Sequence, residues 1–373
     1  MKYYIIAGEA SGDIHAANLI KEIKFLDKQA HLRAWGGDRM YDQGVELVKH
    51  YHELAFMGFY EVIVNLKTIL QNIKFCKQDI IRFKPDVLIL IDYPGFNLRI
   101  AKFARKHGVR VFYYISPQIW AWRQSRVKKI KKYVNRMYVI LPFEKDFYLK
   151  HNIEVDYVGH PLLDVIENEK ANYHDLISFK DKNNLENKPI IALLPGSRKQ
   201  EIAKMLPTML TIPDHFPEYQ FVIAGTNAVE NDFYKRSLNE KAVKVIYQQT
   251  HQLLRHAEAA IVTSGTATLE TALMNVPQIV CYKGNWFSYQ IAKRVIKTKY
   301  ISLVNLILNK PVVTELIQKE MNSSNLHTEL KNILNPEIRQ RILNDYSQLH
   351  KVLGSEGASK QVAKLMVNRL LEY

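Results

Sequence analysis

The segment IIALLPGSRKQEI restricts the possible folds of this chain most strongly, because it joins a buried strand, a tight turn and a helix start. The apolar residues 190–194 predict a parallel strand, which Pro195 and Gly196 break. Ser197 can cap the following helix through its hydroxyl. The unpaired N–H groups and the dipole of such a helix start suit a phosphate, and Arg198 can bind two phosphate oxygens. The alternative is an ordinary strand-to-helix turn with a surface arginine.

Length and composition limit the class of protein. The chain has 373 residues, enough for two domains, and its 47% hydrophobic and 24% charged residues are typical of a globular protein. A net charge of +15 favours anionic partners such as phosphates, nucleotides, nucleic acid or an acidic membrane surface. Cys76 and Cys281 lack metal-type spacing and fit a reducing cytosol.

No segment resembles a targeting or membrane-spanning sequence. The apolar run 3–7 is too short for a signal peptide. No stretch approaches the roughly 18 uninterrupted apolar residues of a spanning helix. We therefore expect a soluble protein that can still lie on a membrane surface.

The chain opens with another strand, small-residue loop and helix. Residues 2–7 predict the strand, and the loop GEASGD follows. The two glycines of this loop lack the spacing of a dinucleotide fingerprint. The amides around Ser11 and Gly12 are candidates to receive a substrate phosphate, although Glu9 and Asp13 would oppose one.

A carboxylate follows the most apolar strand of the first half. The segment PDVLILID, residues 85–92, predicts a parallel strand covered on both faces. It delivers Asp92 at its carboxyl end, where open α/β sheets bind their ligands. This side chain is either a capping or loop-bracing group, or a general base that takes a proton from an attacking hydroxyl. The residues alone leave both possibilities open.

Two further segments of the first half permit more than one interpretation. Apolar residues at steps of three and four predict a helix over 56–76, which is either core or an exposed patch for a bilayer or an acyl chain. The segment SPQIWAWR has two tryptophans that either cover a sugar or anchor a loop, and basic residues follow it. Nucleic acid is less favoured, because no recognised binding module accompanies those basic residues. The exposed patch would comprise Tyr60, Val62, Ile63, Leu66, Ile69 and Leu70.

The second half repeats the strand, turn and helix pattern. The polar segment 167–188 predicts a surface excursion, after which strands and helices alternate again. The apolar run 259–263 is followed by SGTATLE, whose amides and hydroxyls can start a helix and bind phosphate. Glu270 lies one turn inside that helix, where a carboxylate can accept hydrogen bonds from two ribose hydroxyls. Two phosphate-competent strand ends in one sheet favour a nucleotide site that includes Ser264, Gly265 and Thr266.

We therefore predict an α/β fold with two doubly wound, Rossmann-like domains that face a central cleft, the GT-B glycosyltransferase architecture. The predicted domains are residues 1–188 and residues 189–355, and the predicted nucleotide site lies in the second. The last segment, about 356–373, is a candidate to pack back on the first domain.

Nine motifs occur in order along nearly the whole chain: AGEASGD, FMGFYEV, DYPGFN, SPQIWAWR, LPFEKDFY, VGHPLLD, LLPGSRKQE, TSGTATLE and KTKYISLVNL. Together they resemble the lipid-A-disaccharide synthases of glycosyltransferase family 19. The resemblance implies transfer of 2,3-diacylglucosamine from its UDP conjugate to 2,3-diacylglucosamine 1-phosphate. The products would be a β-1,6-linked lipid A disaccharide 1-phosphate and UDP.

The resemblance also implies that the domain 1–188 faces the acceptor and the membrane, with Ser11 and Gly12 in an acceptor-side loop, and that the domain 189–355 binds the UDP-sugar. It further implies roles for particular residues. Asp92 falls on the family's essential aspartate and Arg198 on its essential arginine, and Asn305 is a further nucleotide candidate. The family has a second Asp where this chain has Gly95, which puts any second carboxylate at that turn in doubt. The family uses the segment aligned with residues 60–70 as a membrane-facing patch, which favours the exposed interpretation.

We expect no cofactor and no metal, because no carboxylate pair suggests a cation at the diphosphate. The expected location is the cytoplasm, peripheral on the inner face of the cytoplasmic membrane. Monomer and homodimer are both compatible with the sequence.

Two other classes of function remain as alternatives. One is another GT-B enzyme of UDP-N-acetylglucosamine, either a cell-wall N-acetylglucosaminyltransferase or a 2-epimerase. The apolar segment 56–76 argues against the epimerase, whose substrate is fully soluble. The other class is a basic, membrane-associated binding module without catalytic activity, in which neutralising Asp92 would have no effect on function.

Overall fold

The computed structural model describes residues 1–53, 66–122, 124–226, 229–238, 243–284 and 298–372. The chain forms two compact units, Met1–Asp164 with Ser355–Tyr373 and Val165–Gly354. Each unit has a parallel β-sheet with helices between successive strands. The prediction of two doubly wound α/β domains is therefore confirmed.

The first unit is built on a seven-stranded sheet whose strand order is β3-β2-β1-β4-β5-β6-β7. Its strands are β1 (Lys2–Ala7), β2 (His31–Gly36), β3 (Glu46–His50), β4 (Val87–Ile91), β5 (Arg110–Tyr114), β6 (Arg136–Val139) and β7 (Asp156–Tyr157). The described helices up to the unit boundary are α1 (Ala10–Leu26), α2 (Asp38–Tyr41), α3 (Leu66–Phe83), α4 (Pro94–Lys106), α5 (Val127–Tyr133), α6 (Pro142–Leu149) and α7 (Pro161–Glu169).

The second unit is built on a six-stranded sheet whose strand order is β10-β9-β8-β11-β12-β13. Its strands are β8 (Ile190–Leu194), β9 (Gln220–Gly225), β10 (Lys244–Tyr247), β11 (Ala257–Thr263), β12 (Gln278–Tyr282) and β13 (Thr314–Ile317). The described helices that follow α7 are α8 (Leu176–Lys182), α9 (Lys199–Met209), α10 (Asn231–Leu238), α11 (Thr250–Arg255), α12 (Thr266–Leu273), α13 (Leu303–Leu308), α14 (Ser323–Leu334), α15 (Pro336–Leu353) and α16 (Ala358–Leu371).

Strand order reverses once in each sheet. The first sheet grows outward in opposite directions from the pair β1 and β4, and the second from the pair β8 and β11. The crevice outside the carboxyl ends of such a pair is the usual ligand position in open α/β sheets. The topology therefore selects two places for a site, one in each unit.

A buried polar network fixes helix α3 to the first sheet. The carboxylate of the buried Asp79 accepts hydrogen bonds from the Tyr4 hydroxyl (2.7 Å) and from two nitrogens of Arg33 (2.9 and 2.7 Å). The Tyr4 hydroxyl in turn accepts a hydrogen bond from the Trp35 indole (2.7 Å). A buried charge that is paired and hydrogen-bonded in this way is tolerated in a core.

The predicted helix over 56–76 is described only from Leu66 onward, and it continues to Phe83. Tyr60, Val62 and Ile63 of the predicted patch lie outside the described residues. Among the helices that the structure describes, none is long and apolar enough to cross a membrane.

The unit boundary differs from the one predicted after residue 188, because residues 165–188 belong to the second unit. Phe179 of α8 is fully buried in the core beneath the second sheet. The His174 N–H donates a hydrogen bond to Gln252 of α11 (3.2 Å). A polar composition predicted a surface excursion, but one buried aromatic side chain and a few hydrogen bonds attach the segment to the second unit.

The last helix, α16, belongs to the first unit and packs along α1. Asp164 accepts hydrogen bonds from three successive N–H groups at its start, those of Gly357, Ala358 and Ser359 (2.5, 3.2 and 2.8 Å). The carboxylate satisfies amides that have no partner inside the helix, and it lies at the positive end of the helix dipole. The segment expected to pack back on the first domain is found there.

Two buried histidines lie near Asp164. Burial lowers the pKa of His15 to about 4, an effect that the Asp164 charge opposes. Burial, together with the nearby His15, lowers the pKa of His160 to about 3. The Nδ1 atom of His160 accepts a hydrogen bond from the Leu162 N–H (3.2 Å), so the neutral ring carries its proton on Nε2.

These pKa values predict that the first unit loses stability in mild acid. In the unfolded chain each of these histidines takes up a proton below about pH 6.5. In the folded protein the buried ring stays neutral until the pH approaches its lowered pKa. Each histidine therefore decreases the free energy of unfolding by about 1.4 kcal/mol per pH unit over that interval. His160→Gln keeps an acceptor for Leu162 and should make the pH dependence shallower by this amount.

The measurement is urea unfolding followed by tryptophan fluorescence between pH 4.5 and 6.5. Replacing the exposed His31 with Gln is the matched control and should leave the slope unchanged. Equal slopes for wild type and His160→Gln would show that the buried ring is not held neutral.

Candidate functional site

The carboxyl ends of β1 and β4 lie side by side, because the strands pair in parallel with Ala7 opposite Ile91. Gly8 and Glu9 connect β1 to α1, so Ser11 and Gly12, predicted in a loop, lie in the first turn of that helix. The loop after β4 begins with Asp92. Both loops start where strand order reverses in the first sheet. The predicted acceptor loop and the predicted base thus leave the sheet at the same point.

A glycine allows these two loops to touch. A Cβ atom on Gly8 would lie 2.4 Å from the ring of Tyr93, far inside van der Waals contact, so only glycine fits there. A Cβ on the buried Gly12 would make only ordinary contacts, the nearest at 3.4 Å. Ser11 is exposed. Close packing therefore explains Gly8, while the roles of Ser11 and Gly12 toward a substrate stay predictions.

The backbone at this end of the first sheet is strained. Asp92 and Tyr93 have φ values of 40° and 45°, and Ile115, which follows β5, has a φ of 63°. The left-handed region is unusual for residues other than glycine, and a β-branched residue there is a genuine outlier. Each such residue costs about 1–3 kcal/mol, and such strain concentrates at functional sites.

Neighbouring side chains hold the Asp92 backbone in this conformation. The Asp92 carbonyl oxygen accepts hydrogen bonds from the Asn97 amide (2.8 Å) and from the Tyr113 hydroxyl. The buried Asn97 amide also donates to the Ile91 carbonyl (3.1 Å). The N-cap position of α4 belongs to Tyr93, so Asp92 is not the N-cap residue of this helix.

The Asp92 carboxyl has a perturbed protonation equilibrium. Burial and the charge of Glu9 raise its pKa to about 7, against a smaller opposing effect of a hydrogen bond from the Tyr93 amide. A general base works best when its pKa lies near the working pH. Asp92 thus has the electrostatic properties of a base at neutral pH.

Glu9 is a second carboxylate near Asp92, and it comes from the neighbouring loop. It is half-buried at the N-cap of α1, and its charge raises the pKa of both Asp92 and Tyr93. Gly95 is exposed, with open space where a Cβ would be. Gly95 thus supplies no second carboxylate at this turn, whereas Glu9 brings one near Asp92 from the neighbouring loop.

Asp13 is occupied by the protein itself. Its buried carboxylate accepts hydrogen bonds from the N–H groups of Gly37 (2.7 Å), Arg39 (3.1 Å) and Met40 (3.2 Å). Burial raises the pKa of Asp13, and these three bonds act in the opposite direction. Asp13 therefore ties α1 to the start of α2.

The two tryptophans of SPQIWAWR have different environments. The Trp120 indole is buried and donates a hydrogen bond to the buried Glu144 (3.1 Å). Burial raises the pKa of Glu144 to about 7. Trp122 is 43% exposed, and the Arg126 guanidinium lies 5.8 Å from its ring centre. Trp120 thus anchors the loop, and Trp122 is the one that can contact a ligand.

The carboxyl ends of β8 and β11 also lie side by side, with Leu194 opposite Val262 in parallel register. The turn Pro195–Arg198 follows β8, and the turn Ser264–Thr266 follows β11. Strand order reverses here in the second sheet. The fold thus brings together the two turns that the sequence predicted to bind phosphate.

A carboxylate of the protein occupies the first of these turns. Glu201 accepts a hydrogen bond from the Ser197 N–H (3.3 Å) and forms an ion pair with Arg198 (3.0 Å). Gly196 has a φ of 118°, and a Cβ there would lie 2.9 Å from Glu201. The amide and the guanidinium expected to bind a phosphate therefore bind an anionic group already. A phosphate that binds the Ser197 amide would have to displace Glu201 from it.

Helix α9 begins at Lys199 with Arg198 at the N-cap position and no side-chain cap. The prediction that Ser197 caps this helix is therefore wrong. The turn extends to Arg198, so Ser197 lies one residue before the N-cap position. The Ser197 N–H donates to Glu201.

The second turn leads into α12 and exposes its small residues. Gly265 and Thr266 are exposed, and the half-buried Ser264 donates its hydroxyl to the Ile301 carbonyl (3.2 Å). Thr268 donates its hydroxyl to the Gly265 carbonyl (2.8 Å), which fixes the first turn of the helix. Glu270 follows on the same helix with its side chain 20% exposed and in contact with His251.

Asn305 is buried and uses all four of its side-chain hydrogen-bonding positions within the protein. Its amide nitrogen donates to the Val313 carbonyl and to Glu315 (2.9 Å each). Its amide oxygen accepts from the N–H groups of Val312 (2.8 Å) and Val313 (3.0 Å). Asn305 therefore braces the connection between α13 and β13, and a direct bond to a nucleotide would require one of these bonds to break.

The described parts of the chain contain no group of three or more His, Cys, Asp or Glu side chains arranged to hold a metal ion. Cys76 and Cys281 are buried and unpaired.

Comparison with known proteins identifies the family of this chain. Residues 3–368 match the family model of lipid-A-disaccharide synthetase. The chain belongs to the lipid-A-disaccharide synthetase family. A lipid-A-disaccharide synthase from Trichlorobacter lovleyi is 38% identical over 375 residues, which cover 98% of this chain and 96% of that protein. One from Coxiella burnetii is 38% identical over 370 residues, which cover 98% and 97%.

Solved structures share the fold of this family member at low sequence identity. The S. aureus MnaA–UDP structure has a TM-score of 0.71 at 13% identity and covers 100% of this chain and 97% of that one. A UDP-GlcNAc 2-epimerase from Methanocaldococcus jannaschii has a TM-score of 0.68 at 13% identity, covering 99% and 100%. CalG4, the calicheamicin glycosyltransferase, has a TM-score of 0.60 at 11% identity, covering 100% and 98%. These likenesses confirm the GT-B fold class.

Sequence reasoning about this family member missed three charged groups at the two sites. Glu201 lies three residues after Arg198, a helical spacing that signals an ion pair. Glu9 was identified only as an obstacle to phosphate. His251 carried no local signal, because it lies on a different helix from Glu270 and meets it only in the folded chain.

The Glu9 charge leads to a prediction about the pH profile of this family member. Glu9→Gln removes a negative charge that raises the pKa of Asp92, so the pKa should fall below its value of about 7. The acid limb of kcat/KM, which reports the base of the free enzyme, should move to lower pH. Glu22→Gln, further along the same helix, is the matched control. An acid limb that stays in place in Glu9→Gln would exclude electrostatic coupling between these carboxylates.

Proposed function

We propose that this chain transfers 2,3-diacylglucosamine from its UDP conjugate to the 6-hydroxyl of 2,3-diacylglucosamine 1-phosphate. The products are the β-1,6-linked lipid A disaccharide 1-phosphate and UDP. The observation that carries this proposal is the match over residues 3–368 to a family whose relatives, 38% identical over nearly their whole length, are lipid-A-disaccharide synthases. The geometry of the two strand-order reversals supports it.

Asp92 acts in this proposal as the general base. It takes the proton of the acceptor 6-hydroxyl while that oxygen forms a bond to the anomeric carbon of the donor. The bond from that carbon to the diphosphate breaks, and its electron pair leaves with UDP. A raised pKa, a strained backbone and two hydrogen bonds that hold the carbonyl oxygen of Asp92 support this role.

The second unit supplies the groups for the departing diphosphate. Arg198 and the Ser197 amide offer positive charge and a hydrogen-bond donor, as shown by their contacts with Glu201. The exposed start of α12, at Gly265 and Thr266, offers a second set of amides close by. Donors that are already in position stabilise the charge that develops on a leaving group. Diphosphate binding then exchanges one anion, the Glu201 carboxylate, for another.

We propose that the reaction needs neither a metal ion nor another cofactor. In the scheme above, Arg198 and the backbone amides carry the role that a divalent cation has in many phosphate-transfer sites. Glu270 holds the ribose, and no carboxylate pair is assigned to the diphosphate.

The proposal predicts the product formed from the two diacylated glucosamine substrates. Mass spectrometry should detect the tetraacylated disaccharide 1-phosphate, and EDTA should leave its rate unchanged. Asp92→Asn should lower the rate by about 100-fold or more, since it removes the base. Asp42→Asn, an exposed acid on the first unit, is the matched control.

Two results would contradict the proposal. One is full activity in Asp92→Asn, which the binding-module alternative predicts. The other is formation of the manno epimer from UDP-N-acetylglucosamine alone, which would indicate epimerase chemistry of the kind named for several fold neighbours.

We further propose that the first unit binds the inner face of the cytoplasmic membrane through helices α3, α4 and α5. These helices pack side by side against the same core cluster. Their only acidic residue, Asp79, is buried with Arg33. The surface therefore carries positive charge alone, from Lys67, Lys74, Arg82, Arg99, Lys102, Arg105, Lys106, Lys128, Lys129, Lys131 and Lys132, all exposed.

Exposed apolar side chains lie at the start of α3 within this surface. Leu66 is 49% exposed and Leu70 is 55% exposed. Ile69 differs from its prediction, because it is partly buried and packs against the core. Leucines among lysines suit an interface with anionic lipid, where the aliphatic chains are buried and each cation near the surface adds about 1 kcal/mol.

Replacing Leu66 and Leu70 with Ser should weaken binding to vesicles that contain phosphatidylglycerol. Loss of two exposed leucines that the proposal places in the lipid interface should reduce the bound fraction by about 10-fold or more in co-sedimentation. A double change of the exposed Phe25 and Leu26 on α1 to Ser is the matched control. Unchanged vesicle binding would contradict the proposal, and a large fall in Tm would instead assign these leucines to the core.

A further inference from the structure

A buried histidine lies between two carboxylates in the second unit. The Nδ1 atom of His251 contacts Glu169 and its Nε2 atom contacts Glu270, each as a close ion pair. The first contact has hydrogen-bond geometry, whereas the second is ionic and its direction departs from that of a hydrogen bond. The His251 side chain is 7% exposed, Glu270 is 20% exposed and Glu169 is 49% exposed. The three residues thus form a line from the surface to the helix that follows β11.

The imidazole of His251 is held in its charged form. Burial by itself would lower its pKa, but the contacts with Glu169 and Glu270 raise it to about 10. At neutral pH both nitrogens are therefore donors, and each faces an acceptor. The arrangement joins one positive and two negative charges.

Tyr173 and Arg255 also lie near these three residues. Burial, and after it the charges of Glu169 and Glu270, raise the pKa of Tyr173. Its hydroxyl donates to the sulfur of Met274 (3.9 Å). Arg255 lies over the Tyr173 ring at 5.0 Å and opposes that rise. Among these groups His251 has the direct contacts with both carboxylates.

We propose that His251, braced by Glu169, is a positioning residue that fixes the Glu270 carboxylate for the ribose hydroxyls of the UDP group. This inference rests on the proposed function, which assigns Glu270 to the ribose. The imidazolium contacts Oε1 of Glu270 and leaves Oε2 to accept a hydroxyl. Fixing the carboxylate before binding removes part of the rotamer entropy that a free glutamate would lose on binding.

The proposal also gives a role to the segment before β8. Glu169 is the last residue of α7, in the part of the chain that was predicted to be a surface excursion. Through His251 this residue reaches a carboxylate one turn inside α12. Through Glu169, the segment 167–188 thus contributes to the predicted nucleotide site of the second unit.

The test compares the affinity for UDP with that for 2′,3′-dideoxy-UDP, which lacks both ribose hydroxyls. Isothermal titration calorimetry of the full chain gives the ratio of the two Kd values. Hydrogen bonds to a charged group should make this ratio about 10-fold or more in the wild type. Glu270→Gln should reduce the ratio several-fold, because neutral hydrogen bonds are about half as strong.

His251→Gln should reduce the ratio toward the value of Glu270→Gln and change the Kd of the dideoxy nucleotide by less than about 2-fold. A purely structural histidine would weaken both nucleotides equally and leave the ratio unchanged, which would overturn the inference. His256→Gln is the matched control, because His256 ends the same helix and contacts the His174 carbonyl instead (3.0 Å). Its ratio should equal that of the wild type.

Two further outcomes separate this inference from the proposed function. If Glu270→Gln leaves the ratio unchanged, the assignment of Glu270 to the ribose fails, and the inference falls with it while the transferase activity stands. If His251→Gln does not fold, Glu169→Gln replaces it, since Glu169 is half exposed and its loss leaves the imidazole in place. An unchanged ratio in Glu169→Gln, with a reduced ratio in Glu270→Gln, would then overturn the inference.

Discussion

Parallel pairing of neighbouring strands is the constraint on which the candidate sites depend. Because paired parallel strands end at the same edge, the loops after β1 and β4 start together, as do the loops after β8 and β11. Strand order reverses at both pairs, so no crossover helix covers the gap between their ends. Residues far apart in sequence, such as Glu9 and Asp92 or Arg198 and Thr266, therefore leave the sheet side by side.

Carboxylates and the groups around them dominate the charge at both sites. In the first unit, burial and Glu9 make the negative form of Asp92 less favourable, which suits a group that must accept a proton. In the second unit, the Glu270 carboxylate forms an ion pair with the buried His251. Glu201 occupies the anion position beside Arg198. Similar residues thus acquire different chemistry from their surroundings, as expected when desolvation and charge act in opposite directions.

The helices on the two faces of the first sheet have different surroundings. On one face, α3, α4 and α5 carry exposed cations and leucines, while buried Asp79 holds α3 to β1 and β2. On α1, in contrast, the C-terminal helix α16 covers the surface, and Asp164 caps its start. The buried neutral His15 and His160 lie near that cap. The layer of α3, α4 and α5 is therefore exposed, whereas α16 covers α1.

Local sequence was sufficient for the buried strands and the turns after them, because continuous apolar runs such as VLILI and IIALL identify central parallel strands directly. It also indicated Asp92, Arg198 and Glu270 as candidates, and their roles stay predictions. The strands β3 and β13 were missed, since edge strands such as ELVKH and TELI are only partly buried and look polar. Contacts between distant segments carried no local signal. Burial of Phe179 attaches the segment before β8 to the second unit, and four hydrogen bonds give Asn305 a bracing role. The ion pair of His251 with Glu270 likewise joins two separate helices. Such contacts depend on which side chains the fold brings together and removes from water. Packing of the whole chain decides this, so no single stretch of sequence predicts it.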